Sequence, residues 1–108
     1  MPLKFSLIYF FFVGVLFSQN PDNLLDNGNS ELENGNLIIA EDLFNQALKI
    51  DPSFAPAFKG LSKLYLHKGN LKKANEYSIE AVQKDEDFRE WSNVIAKISE
   101  NIQNGNRN

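Results

Sequence analysis

Between Leu37 and Leu48 the apolar positions Leu37, Ala40, Phe44, Ala47 and Leu48 fall three and four apart. That interval gathers side chains on one side of an α-helix. The pattern returns as Leu71, Ala74, Ser78, Ala81 and Val82, displaced by 34 positions. At the same offset, residues 21–54 align with 55–88 without a gap. Eight positions are identical: Leu32/Leu66, Gly35/Gly69, Asn36/Asn70, Leu37/Leu71, Ala40/Ala74, Ala47/Ala81, Asp51/Asp85 and Phe54/Phe88. A fixed period of this length is the mark of a repeat architecture, and each copy reads as two helices joined by a Gly-Asn turn.

The turn residues supply the local chemistry. Gly35 and Gly69 can take a left-handed conformation that ends a helix without a Cβ penalty. Asn36 and Asn70 stand where a side-chain oxygen caps the helix that follows. Asp51-Pro52-Ser53 stops one helix and opens the next, and Pro56 fits only within a first helical turn. The first helix is the weakest, because Asn23, Asn27, Gly28, Asn29 and Ser30 are poor helix formers. Asn20 as cap and Pro21 at the first helical position favour its start, and packing of Leu24, Leu25 and Leu32 must sustain it. After the second unit, Phe88, Trp91, Ile95, Ile98 and Ile102 again share one helical side. A terminal helix over residues 88–103 would cover the apolar flank of the last unit, leaving 104–108 as a polar, disordered tail.

Residues 1–18 read differently. Lys4 precedes an apolar run over 5–17, about 20 Å long as a helix and short of the roughly 20 residues a bilayer span needs. A basic start, a short apolar middle and the small Ser18 before a polar stretch describe a secretory signal peptide. The chain is therefore expected to be exported, periplasmic or secreted. Retention of the leader as an uncleaved membrane anchor is the alternative. Without Lys4 the remainder carries 10 cations against 14 carboxylates. That balance favours neither nucleic acid nor an anionic lipid surface. The absence of cysteine excludes disulfides, thiolate metal sites and thiol catalysis, and one histidine argues against zinc or iron.

In these residues the chain resembles the tetratricopeptide repeat family. The second unit carries its pattern as Phe58, Leu61, Tyr65, Gly69, Ala74 and Ala81; the first carries Leu24, Gly28, Gly35, Ala40, Phe44, Ala47 and Pro52. Departures fall at Asn27, Glu31, Ser62, Ser78 and Glu86. The resemblance implies an all-α, TPR-like α-solenoid of two helix-turn-helix repeats, 21–54 and 55–88, with a C-terminal capping helix behind a signal peptide. It also implies a protein-binding adaptor or scaffold whose concave surface takes a peptide or helix of a partner. The alternative is a scaffold subunit of an envelope complex, tethered by the leader. The positions facing that groove would be Leu25, Asn29 and Leu32 in the first unit and Lys59, Lys63 and Leu66 in the second. Lys59 and Lys63, four apart, share a helical face suited to a carboxylate. Some relatives grip a C-terminal carboxylate with a lysine-asparagine clamp. Asn29 fits one clamp position, but Leu25 and Gly60 occupy two others, which disfavours chaperone tails.

No constellation argues for catalysis. His67 ends a helix beside Lys68, where a cation favours the negative end of the helix dipole. Glu31 and Glu33 are two apart and diverge on a helix, so they form no acid–base pair. Asp85-Glu86-Asp87 suits the positive end of the final helix and lacks the spacing of a calcium loop. Trp91 and the Phe54/Phe88 pair coincide with repeat packing and read as core. The expectation is a non-enzyme without cofactor or metal, whose partner is a protein or peptide. Because two units bury only a small core, self-association into a homo-oligomer also stays open.

Overall fold

The computed structural model describes residues 20–106, and the expected leader lies outside them. Among the described residues five α-helices follow one another: α1 (Pro21–Glu33), α2 (Leu37–Ile50), α3 (Ala55–His67), α4 (Leu71–Lys84) and α5 (Arg89–Asn106), with a 3-10 turn at Glu86–Phe88. α1 packs on α2 and α3 on α4 as hairpins; α2 packs on α3, α4 on α5, and α1 also meets α3. The result is an all-α stack of two like hairpins and a capping helix. α5 runs through Asn106, so residues 104–106 are helical where a disordered tail was expected.

The turns follow from glycine. Gly35 and Gly69 have φ of 82° and 76°, the region an L side chain resists. Just beyond each, Asn36 N–H donates to Glu31 C=O and Asn70 N–H to Tyr65 C=O, both at 2.9 Å. These bonds satisfy carbonyls that a helix end leaves open. The two asparagines then part company. Asn70 Oδ1 accepts the Lys73 N–H at 3.1 Å and caps α4. Asn36 instead turns its amide back to donate to Glu31 Oε2 at 2.6 Å, and α2 starts without a side-chain cap.

One core cluster holds Leu24, Leu32, Ala40, Phe44, Ala47, Ala57, Leu61 and Leu64. Phe44 is fully buried at its centre. A Cβ on Gly28 of α1 or on Gly60 of α3 would lie 2.6 Å from the Phe44 ring. Those glycines therefore form the slot that lets the ring enter and the helices close on it. In the second unit Ser78 stands at the register of Phe44 and Ser62 at that of Gly28, both fully buried. Ser62 Oγ donates to the Ala74 carbonyl at 2.6 Å and accepts the Trp91 indole N–H at 3.0 Å, while Ser78 Oγ donates to Asn75 C=O at 2.7 Å. Each buried hydroxyl is thus hydrogen-bonded, as its burial requires.

The weak first helix is complete over its 13 residues. Asn20 Oδ1 accepts the Asn23 N–H at 2.8 Å, and Leu24 and Leu32 are buried. Its poor formers Asn23, Asn27 and Ser30 are exposed, whereas their register partners Ala57, Leu61 and Leu64 are buried in the core with α2. The other two poor formers lie inward for stated reasons: Gly28 admits the Phe44 ring and Asn29 lines the groove described below.

The expected location is corrected. Membrane anchoring finds no spanning element among the described residues, and the leader on which export was expected lies outside them. No helix among the described residues is long and apolar enough to cross a membrane. The longest, α5, carries Arg89, Glu90, Lys97 and Glu100 along its 18 residues, and a bilayer span tolerates few such charges.

Candidate functional site

The odd-numbered helices α1 and α3 lie side by side, and their shared face is hollow. One depression of about 560 Å³ is lined by Asn29, Leu32, Glu33, Lys63, Leu66, His67 and Trp91. A second of about 210 Å³ is lined by Leu25, Asn29, Pro56, Lys59, Gly60, Lys63 and Phe88. Asn29 and Lys63 belong to both, so the two are parts of one groove. All six residues expected on this face, Leu25, Asn29, Leu32, Lys59, Lys63 and Leu66, line one part or the other. Leu32 is buried, contributing its edge to the floor; the other five are half-buried.

The groove is apolar and amide-bearing along α1 and cationic along α3. Lys59 Nζ lies 5.4 Å from the centre of the Trp91 ring and 5.9 Å from that of Phe88; Lys63 Nζ lies 5.6 Å from the Trp91 ring. Such placement holds an ammonium by the electron-rich ring face. Burial and then the charge of Lys63 pull the Lys59 ammonium below its usual range, with Glu90 opposing. Among the described residues, ion pairs join Lys68 to Glu41 and Arg89 to Glu86, and none engages Lys59 or Lys63. Two cations at one ring, with Glu90 and Glu33 nearby but in ion-pair contact with neither, form a site that gains from an incoming anion.

Trp91 corrects the sequence reading. It was expected in the core, yet it is half-buried and lines the groove. Its indole N–H is anchored on Ser62, which leaves a ring face for the two lysines. The sequence held a signal for this: its register partner is the small, buried Ala57, and so large a ring cannot occupy the same space. Glu33, His67, Pro56 and Phe88 complete a lining that helical periodicity did not identify.

Among the described residues no group of three or more His, Cys, Asp or Glu is placed to hold a metal ion. No curated protein matches the chain in sequence. A family model, the tetratricopeptide repeat, matches residues 31–98, more than half of the chain and all of α2 to α4. With that match, the duplicated hairpins and the paired left-handed glycines, the chain belongs to the tetratricopeptide repeat family, a non-catalytic scaffold class that binds peptides and proteins.

Proposed function

We propose that this protein is an interaction scaffold that seats an extended or helical segment of a partner protein in the α1–α3 groove. Leu25, Leu32 and Leu66 receive its apolar side chains, Asn29 bonds its backbone or a polar group, and Lys59 with Lys63 takes a carboxylate. The observation that supports this most is the pair of half-buried lysines on Trp91, held at the groove wall without an anionic partner among the described residues. Partly desolvated cations contribute more to an ion pair than fully hydrated ones, because less water must be displaced on binding.

The chain has a single tryptophan, so the groove carries its own reporter. Short synthetic peptides with one carboxylate beside a leucine or phenylalanine should change Trp91 emission as they bind. Lys59→Gln with Lys63→Gln should weaken the complex by about tenfold or more, as loss of charge-assisted hydrogen bonds does. Peptides that bind both forms equally, or that leave Trp91 emission unchanged, would refute the assignment.

A further inference from the structure

At the turn end of the stack, in a depression that shares no lining residue with the groove, the two units differ where they should match. Unit one exposes Ile38, at 84%, and Ile39, at 53%. At the same register unit two exposes Lys72 and Lys73. The fold therefore does not require apolar side chains at these positions, and two adjacent exposed isoleucines have no structural cause here. They border an open depression of about 740 Å³ lined by Gly35, Asn36, Leu37, Ile38, Ile39 and Lys68.

Cations flank the patch. Lys68 and Lys73 converge on one ring, with Nζ atoms 5.1 and 4.9 Å from the centre of Tyr65. Lys68 Nζ is 3.7 Å from Glu41 Oε2, beyond hydrogen-bonding distance, so its donors stay open. Among the described residues neither Lys72 nor Lys73 has an ion-pair partner. An apolar centre with a basic border matches a segment of opposite design.

We infer that this end of the molecule is a second docking surface, which takes an acidic segment of a partner protein. One large apolar side chain of that segment enters the depression against Ile38 and Ile39, and its neighbouring carboxylates face Lys68, Lys72 and Lys73. A second copy of this chain is the poorer occupant. Its own acidic turns are engaged: Asp51 and Asp85 each accept a backbone N–H, and Glu86 pairs with Arg89. An anionic bilayer fits poorly too, since a depression suits a protruding apolar side chain rather than a flat layer of headgroups.

The test is selection from a displayed library of short random peptides, followed by binding of the synthesised winners to the isotope-labelled chain. Winners should carry Asp or Glu beside Leu, Ile, Phe or Trp, and should shift the Ile38, Ile39 and Lys68 amide signals. Ile38→Lys with Ile39→Lys, which copies unit two and should stay fully helical by circular dichroism, should cost about tenfold or more in affinity. Lys68→Gln with Lys73→Gln should cost several-fold and flatten the salt dependence. With Lys59→Gln and Lys63→Gln the Ile38, Ile39 and Lys68 amide shifts should persist even where groove-side shifts are lost, which separates this surface from the groove. Three outcomes would overturn the inference: winners that are basic or purely apolar, binding that survives the isoleucine substitutions, or shifts confined to α1 and the Trp91 side. So would stronger recruitment to vesicles containing anionic phospholipid than to any selected peptide. Concentration-dependent dimerisation abolished by the isoleucine substitutions would overturn it in favour of a second copy.

Discussion

The two seams of this small stack are built from the same register and from opposite materials. Where unit one meets unit two, a fully buried phenyl ring fills a slot cut by two glycines. Where unit two meets α5, serines replace the ring and one glycine, and hydroxyls tie Ala74, Asn75 and Trp91 together. The first seam is held by shape and the second by hydrogen bonds. Apolar packing of a large ring stabilises more than a few neutral hydrogen bonds of similar burial, so the first should be the mechanical centre of the fold. The second leaves part of Trp91 outside, and that part became groove wall.

The sharpest break is Phe44→Ala, expected to cost about 3–5 kcal/mol by urea or thermal unfolding, since the helices can relax only partly into the emptied slot. Next is the converse, Ser78→Phe, expected to destabilise by about 1–3 kcal/mol through overpacking. Ser62 and Val94 stand at the registers of Gly28 and Gly60 and leave no comparable space. Restoring glycine at Ser62 and Val94 in that background should recover part of the loss; a neutral single substitution would mean the seams are interchangeable. Ser62→Ala removes an acceptor from the indole and should cost about 1 kcal/mol, with a shift in Trp91 emission that Ser78→Ala does not produce.

The caps offer a finer contrast. Asn70→Ala should cost about 1 kcal/mol through the lost bond to Lys73 N–H, whereas Asn36→Ala, with no cap bond to lose, should cost less. The reason lies five residues upstream. Glu31 stands where unit two has Tyr65, and its carboxylate takes the Asn36 amide.

The smallest effect is alkaline. Burial and then the Glu41 carboxylate push the Tyr65 phenol up to about 12, and burial with Glu41 also raises Tyr77, whose ring stacks on Tyr65 at 5.5 Å. A phenol raised above its ordinary value of about 10 contributes fully below that pH and loses its contribution as pH climbs toward 12. Unfolding monitored from pH 9 upward should show stability falling across that window. Tyr65→Phe should remove most of the fall.

Particular residues show what the sequence could carry. Gly35, Gly69, Ala40, Ala74, Ala47 and Ala81 were readable because duplication states each requirement twice, and backbone geometry leaves few other reasons for those residues. The six positions that line the groove were suggested by family likeness, since period alone does not say which side of a helix faces a hollow. Trp91 was misread because helical spacing records the side of a helix and not how much room waits there. Asn36 was misread because its role depends on a carboxylate in the preceding helix, a pairwise fact that position-by-position comparison misses. The Ile38–Ile39 exposure was hidden in a stripe of apolar letters, and only the packing separates Leu37 and Ala40 from the two between them.

The phenyl ring has one more effect. Gly60, pressed against Phe44 from behind, also lines the groove in front. The ring is thus a spacer gauge, setting how far apart the two helices that form the groove stand. Trimming it to leucine would let the helices settle closer and narrow the channel, though Phe44 itself is not part of the lining. Thermal robustness and channel width would then be inherited through one side chain and drift together.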